Sequence, residues 1–130
     1  MTDAERKAII KYRLSRAHET LNEVDILIKN QLWNTAVNRL YYACYYAVNA
    51  LLISLNIKAQ THSGVRQMFG SHFIKTGKIN KDLGKFYSIL FDKRMAGDYD
   101  DFVNFNHEEV SVLYSTAQQF IKEIDKIIGY

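Results

Sequence analysis

A chain of 130 residues with 48% apolar and 24% charged side chains is long enough for one domain with a buried core, and its composition excludes a disordered protein. A single cysteine excludes an intramolecular disulfide framework, and the complete lack of proline leaves nothing to break long helices. The net charge is only +3, and the N-terminus, Met1 to Lys7, is charged with no apolar signal core, so a cytoplasmic protein is expected.

Thr2-Asp3-Ala4-Glu5 has the form of a capping box. Beyond it Ile10, Leu14, Ala17, Leu21, Val24 and Ile28 recur every three or four residues, which predicts a first helix over about residues 3–29. The short Asn30-Gln31 link predicts that a second helix, about 32–55, returns antiparallel. Projected at about 100° per residue, Val37, Leu40, Cys44, Ala47, Val48, Leu51 and Leu55 form its core side. Asn38, Arg39, Tyr42, Tyr45, Tyr46 and Asn49 form a second side, apolar in bulk but tipped with polar groups. The uncharged run from Leu40 to Ile57 approaches the length of a membrane span, yet its four tyrosines and two asparagines argue for the centre of a bundle.

Thr61 is the expected N-cap of a third helix, about 62–76, with Val65, Met68, Phe69, His72 and Phe73 inward and Gly77 as its stop. A fourth, about 81–95, should bury Leu83, Phe86, Tyr87, Leu90 and Phe91, and Gly97 should end it. Residues 98–105 are expected to form a loop that packs its aromatics inward. Asn106, with Glu109 three residues on, caps a last helix carrying Val110, Leu113, Ala117, Phe120, Ile121, Ile124 and Ile128. The whole chain, 1–130, therefore reads as one all-α domain, an up-and-down bundle of about five helices.

Charge is unevenly placed: residues 58–94 carry a net +6 and residues 95–130 a net −5. The basic segment can attract phosphate, and the acidic end can neutralise it within the fold or across a dimer. No Gly-rich phosphate loop, His-Glu-x-x-His, Cys-x-x-Cys or nucleophile elbow is present. The four histidines lack metal-ligand spacing, so neither metal nor cofactor is expected, and Cys44 reads as a small core residue.

Three stretches remain once core positions are removed: Asn38-Arg39-x-Tyr41-Tyr42, Thr61-His62-Ser63-Gly64-Val65 and Arg94-x-x-Gly97-Asp98-Tyr99. Their polar groups are costly to bury unpaired, so each needs a partner. One solution is internal, with Arg39 or Arg94 paired to Asp98 and tyrosine hydroxyls completing the network. The other is a ligand or partner chain.

In this order and spacing, the Asn-Arg-x-Tyr-Tyr-Ala helix, Thr-His-x-Gly-Val and Arg-x-x-Gly-Asp-Tyr resemble the HEPN domain family, closest to the small stand-alone HEPN proteins encoded beside minimal nucleotidyltransferases. The resemblance spans the chain from Ala17 to the last helix. It implies a homodimeric helical bundle that binds nucleotide or RNA, often as a toxin restrained by the nucleotidyltransferase. Ligand-binding residues expected on this basis are Arg39, Tyr42, His62, Arg94 and Tyr99, with Asp98 orienting an arginine. Family ribonucleases carry an arginine, four to six intervening residues and then a histidine, late in the domain. Here Arg94 is followed at those distances by Tyr99, Asp100 and Asp101, and the formal matches Arg13/His18 and Arg66/His72 fall on the wrong helices. Catalytic residues are thus unassigned. A displaced ribonuclease site using His62 and a pure interaction module, with the tyrosine face of helix 2 docking a partner, stay open as alternatives.

Overall fold

Thr2 caps the first helix reciprocally: its hydroxyl accepts the Glu5 N–H at 3.1 Å, and its own N–H donates to the Glu5 carboxylate at 3.0 Å. The computed structural model describes residues 1–129, and among these it contains five α-helices and no strand, the all-α bundle expected. Helix α1 (Asp3–Lys29) buries Ile10, Leu14, Ala17, Leu21 and Val24, the seam legible in the sequence. Gln31, at φ 59°, reverses the chain into α2 (Trp33–Ser54). The two helices then run antiparallel in a fixed register, because Arg39 pairs with Glu23 at 3.3 Å and Arg16 lies over the Tyr46 ring at 5.4 Å. Both pairs straddle Gln31 symmetrically.

Helix α2 is the axis of the bundle, packed against every other α-helix. Ala36, Ala43, Cys44, Ala47 and Ala50 are fully buried, and their small side chains let neighbouring backbones approach closely. Leu55, expected inward, is 47% exposed because it is the C-cap and the helix has already ended at Ser54.

Helix α3 (His62–Phe69) starts where Thr61 accepts the Gly64 N–H at 2.9 Å. It continues into a π-helical turn, Gly70–Ile74, closed by the Lys75 N–H on the Gly70 carbonyl at 2.9 Å. A π-turn holds more residues than an α-turn, so it breaks the inward periodicity. Phe73 stays buried, but His72, expected beside it, is turned out to solvent. Gly77 then turns the chain at φ 76°, a conformation glycine adopts without strain.

Helix α4 (Lys81–Tyr99) is capped by Asn80 and runs past Gly97, which does not end it. Gly97 answers a different need: a Cβ there would meet Phe105 Cε2 at 2.9 Å. Removing the side chain lets the ring of the following connection lie on the helix. That connection packs only partly inward. Phe105 is buried, but Tyr99 and Phe102 are 73% and 99% exposed, against expectation. Tyr99 is still on the last turn of α4, and Phe102 sits at φ 64°, where the backbone aims it outward.

Asn34 of α2 clamps this connection, donating to the Val103 carbonyl at 2.9 Å and accepting the Phe105 N–H at 3.0 Å. Asn34→Ala strands both backbone groups and should cost about 1–3 kcal/mol in denaturant unfolding; a change within error would show the clamp to be redundant. Finally α5 (His107–Ile128), capped by Asn106 at the Glu109 N–H, closes the core with Val110, Ala117, Phe120, Ile121 and Ile124. Phe120 stacks on Tyr87 at 5.7 Å and meets Phe69 edge-on, joining α3, α4 and α5 in one aromatic cluster.

Candidate functional site

Two long helices and one helix start converge on Tyr41. Its side is dictated by α2, which is buried nearly all round, so a residue between the two expected faces has nowhere else to go. Tyr41 is fully buried, with Tyr45 and Tyr87 stacked on it at 5.8 and 6.0 Å and Phe91 edge-on at 5.7 Å. Its hydroxyl lies 2.7 Å from His62 Nδ1, one hydrogen bond whose direction follows the imidazole tautomer. Burial pushes the Tyr41 phenol up to about 12, against the opposing pull of Arg94. Tyr87 is raised well above the ordinary tyrosine value, again by burial. Both phenols therefore stay protonated at neutral pH.

Arg94, on the inner face of α4, is only 6% exposed. Its guanidinium stands 4.6 Å from the centre of the Tyr41 ring, and 5.8 and 5.7 Å from Tyr42 and Phe91. Aromatic faces attract a cation but accept no N–H in the manner of a carboxylate. Among the described residues the carboxylate paired with it is Asp98, a turn further along α4, at 3.7 Å, an ion pair too long to be a hydrogen bond. Asp98 itself accepts from Asn38 Nδ2 at 3.1 Å. The buried Nε of Arg94 has no hydrogen-bond partner among the described residues. A buried cation with an unsatisfied donor is an uncommon and costly arrangement.

His62 occupies the first turn of α3 and stacks on Tyr45 at 4.4 Å, with Tyr42 edge-on at 5.8 Å. Burial, and then the Arg94 charge, lower its pKa from the ordinary 6.5, so the imidazole is neutral at pH 7. Tyr42, Tyr45 and His62 are half-buried and form the solvent side of the cluster.

The expected site residues are thus divided. Tyr42, His62, Arg94 and Asp98 come together. Arg39 is engaged elsewhere, with Glu23 of α1, and touches the cluster only through Tyr42, whose ring centre is 6.0 Å away. Tyr99 is turned outward. Of the two internal pairings weighed from sequence, Arg94–Asp98 forms and Arg39–Asp98 does not. Tyr41, Tyr45 and Phe91 also belong to the site: the first two lay in stretches marked out by their polar groups but were not named as ligand-binding residues, and Phe91 was read as core, because the contacts that gather them, to His62 and from Phe91 to Tyr41, cross between helices. Cys44 is fully buried and burial pushes its thiol up, so it holds no reactive thiolate. Among the described residues no group of three His, Cys, Asp or Glu side chains could hold a metal ion, and no helix is long and apolar enough to cross a membrane.

The model of the HEPN domain matches residues 10–127, almost the whole chain. The chain belongs to the HEPN family. A UPF0332 protein of Thermotoga maritima is 44% identical over 124 residues, covering 95% of this chain and 94% of its own. Two proteins of Methanocaldococcus jannaschii named as candidate toxins are 30% and 33% identical, covering 88% and 86% of this chain and 78% and 83% of their own. The crystal structure of TT1696 from Thermus thermophilus superposes with a TM-score of 0.77 over 90% of this chain and 96% of that one, at 14% identity, and so shares the fold.

In this HEPN domain neither formal arginine–histidine match brings its histidine to the cluster, although Arg66 lies over the Phe91 ring at 4.1 Å. His18 pairs with Asp125 at 2.7 Å on the α1–α5 side, and His72 is exposed on the π-turn. The imidazole beside Arg94 is supplied by His62 from α3. Its depressed pKa fixes a pH dependence. The unfolded chain binds the proton more readily than the folded one, so stability from this group is full above about pH 6.5 and is lost as pH falls through the lower folded value. Urea titrations from pH 7.5 to 4.5 should show the HEPN domain losing stability relative to His62→Gln as pH falls below that point; parallel curves would mean His62 titrates freely.

Proposed function

We propose that this chain is a homodimeric, cytoplasmic HEPN protein that binds the phosphate of a nucleotide or RNA at Arg94 and His62, as the toxin-side partner of a minimal nucleotidyltransferase. The observation that carries the reading is the buried Arg94 with its unpartnered Nε. Phosphate offers the geometry that the present surroundings lack, because its oxygens can accept from Nε and the terminal nitrogens together. Asp98, at 3.7 Å, is loosely enough engaged to give way to it. His62, neutral and half-buried at a helix start, supplies a hydrogen bond from the same side, while Tyr42 and Tyr45 offer aromatic faces for a base. The toxin role is supported by the names of the two Methanocaldococcus relatives, and the nucleotidyltransferase by the resemblance of the three motifs.

A second reading, cleavage of RNA, is favoured by one feature. His62 is an uncharged imidazole anchored at Nδ1 by Tyr41, beside a buried arginine. Such an imidazole can take the proton from a ribose 2′-hydroxyl while that oxygen attacks phosphorus and the P–O5′ bond breaks, leaving a 2′,3′-cyclic phosphate and a 5′-oxygen that is protonated by water, and Arg94 can stabilise the charge gathering on the phosphoryl oxygens.

Calorimetry of the dimer with ATP, other nucleotides and short single-stranded RNA tests the first reading. Saturable binding below millimolar is expected, and none at millimolar ligand would sink it. Growth assays on cells expressing wild type, His62→Ala or Arg94→Ala separate the second. Arrest by wild type alone supports cleavage; equal arrest by all three, or by none, removes it.

A further inference from the structure

The neutral imidazole of His62 has one proton and two nitrogens to hold it, and the choice decides what it offers a ligand. Nδ1 lies 2.7 Å from the Tyr41 hydroxyl. Nε2, across the ring, makes no hydrogen bond among the described residues, and the side chain is half-buried. With the proton on Nδ1, Nε2 presents a lone pair and can act as a base. With the proton on Nε2, the imidazole is a donor.

The inner end of the hydrogen-bond chain separates the two. Behind Tyr41 lies Tyr87, fully buried, its ring stacked on that of Tyr41 at 6.0 Å and packed against Phe69 and Phe120. The Tyr87 hydroxyl makes no hydrogen bond of full geometry among the described residues, and the hydroxyl it acts on is that of Tyr41. Both phenols keep their protons at neutral pH, so two O–H protons need acceptors inside an aromatic cluster. If Nε2 is protonated, Tyr41 donates to Nδ1 and its oxygen is free to receive the Tyr87 O–H. Neither proton is stranded. If Nδ1 is protonated, Tyr41 accepts there and has to donate inward to the Tyr87 oxygen, which leaves the Tyr87 proton with nothing to reach. One unpaired buried donor shifts the balance between the tautomers by roughly tenfold or more. Arg94 pushes the same way. Its guanidinium stands 4.6 Å from the centre of the Tyr41 ring, and a cation there makes the phenol the better donor.

We infer that Tyr41 is a positioning residue for His62: it donates to Nδ1, holds the imidazole as the Nε2–H tautomer, and so makes His62 a hydrogen-bond donor toward the ligand rather than a base. The inference rests on the phosphate reading and names the chemistry by which the site recognises that group. His62 Nε2–H and Arg94 Nε–H are then two donors in one cluster, which suits the acceptor-only oxygens of a phosphate. A ribose 2′-hydroxyl finds no lone pair on Nε2 to take its proton, so the cleavage reading loses its base.

Long-range ¹H–¹⁵N correlation of the imidazoles in the ligand-free full chain at neutral pH tests this, with the His62 signals identified by their absence from His62→Gln. Nε2 is recognised by its coupling to both carbon-bound ring protons. Wild type is expected to hold the proton on Nε2 in about nine molecules of ten or more. Tyr41→Phe keeps the ring and removes the donor. In it the Nδ1–H share should rise severalfold, and the His62 titration midpoint should move up toward the ordinary 6.5, because a hydrogen bond donated to Nδ1 stabilises only the neutral imidazole. A wild-type proton on Nδ1 would overturn the inference, as would a Tyr41→Phe variant in which the tautomer ratio stays fixed or the midpoint fails to rise. These readings need no ligand. ATP that leaves the Nε2 signal unmoved would therefore count against the phosphate reading while the tautomer stands.

Discussion

Arg94→Met is expected to leave the unfolding free energy within about 1 kcal/mol of wild type, or to raise it, while abolishing stabilisation by nucleotide. The opposing magnitudes decide this. The substitution gives up attraction to three aromatic faces, worth up to about 2 kcal/mol when desolvated, and a carboxylate contact at 3.7 Å. It also removes the burial of a full charge, which costs several kcal/mol, and an unpaired Nε, worth about 1–3 kcal/mol. An unbranched thioether fills the space of the arginine stem and keeps contact with Tyr41, Tyr42 and Phe91. Urea unfolding and thermal shift with and without ATP read both halves. A loss above about 3 kcal/mol would make Arg94 a structural residue, with Asp98 and the tyrosine rings its sufficient partners.

Tyr41→Ala should be the most damaging single change in the site, costing about 3–5 kcal/mol through the cavity it opens at the centre of the bundle. The ring is fully buried and meets Tyr42, Tyr45, Tyr87, Phe91 and His62, so five neighbours lose packing together. Tyr41→Phe separates packing from chemistry. It keeps the ring, removes the hydroxyl 2.7 Å from His62 Nδ1, and should cost about 1 kcal/mol. A denaturant series on the two variants distinguishes these terms. If the phenylalanine variant were as unstable as the alanine one, the hydrogen bond rather than the cavity would dominate.

The bundle was legible in the sequence because each helix is written in local terms. The Thr2 box, the Thr61 and Asn106 caps and the apolar spacing of α1 and α5 all act within a few residues of themselves. Where the reading failed, the cause was a contact made beyond the local pattern or a change in helix type. Gly97 carries the signature of a helix end, yet it is a clearance for Phe105, eight residues further on. His72 fits the inward spacing of an α-helix, but a π-turn interrupts that spacing. The site divides in the same way. Tyr42, His62, Arg94 and Asp98 could be singled out because polar groups in apolar or capping positions demand partners. Tyr41 lay in one of the marked stretches but could not be assigned to the site, since its role depends on α3 and α4 meeting α2 from two sides. Arg39 drew attention for the same reason as Arg94, and only the antiparallel register shows that Glu23 of α1 already satisfies it.

The most direct measurement is the arginine Nε–H region of a ¹H–¹⁵N correlation spectrum, recorded while ATP is titrated into the wild-type protein. The Arg94 signal, identified by its absence from Arg94→Met, is predicted to shift progressively and saturate as phosphate accepts the Nε–H that has no partner in the free protein. An Arg94 signal that stays fixed at millimolar ATP, or that moves no more than the signals of exposed arginines, would contradict phosphate binding at this site.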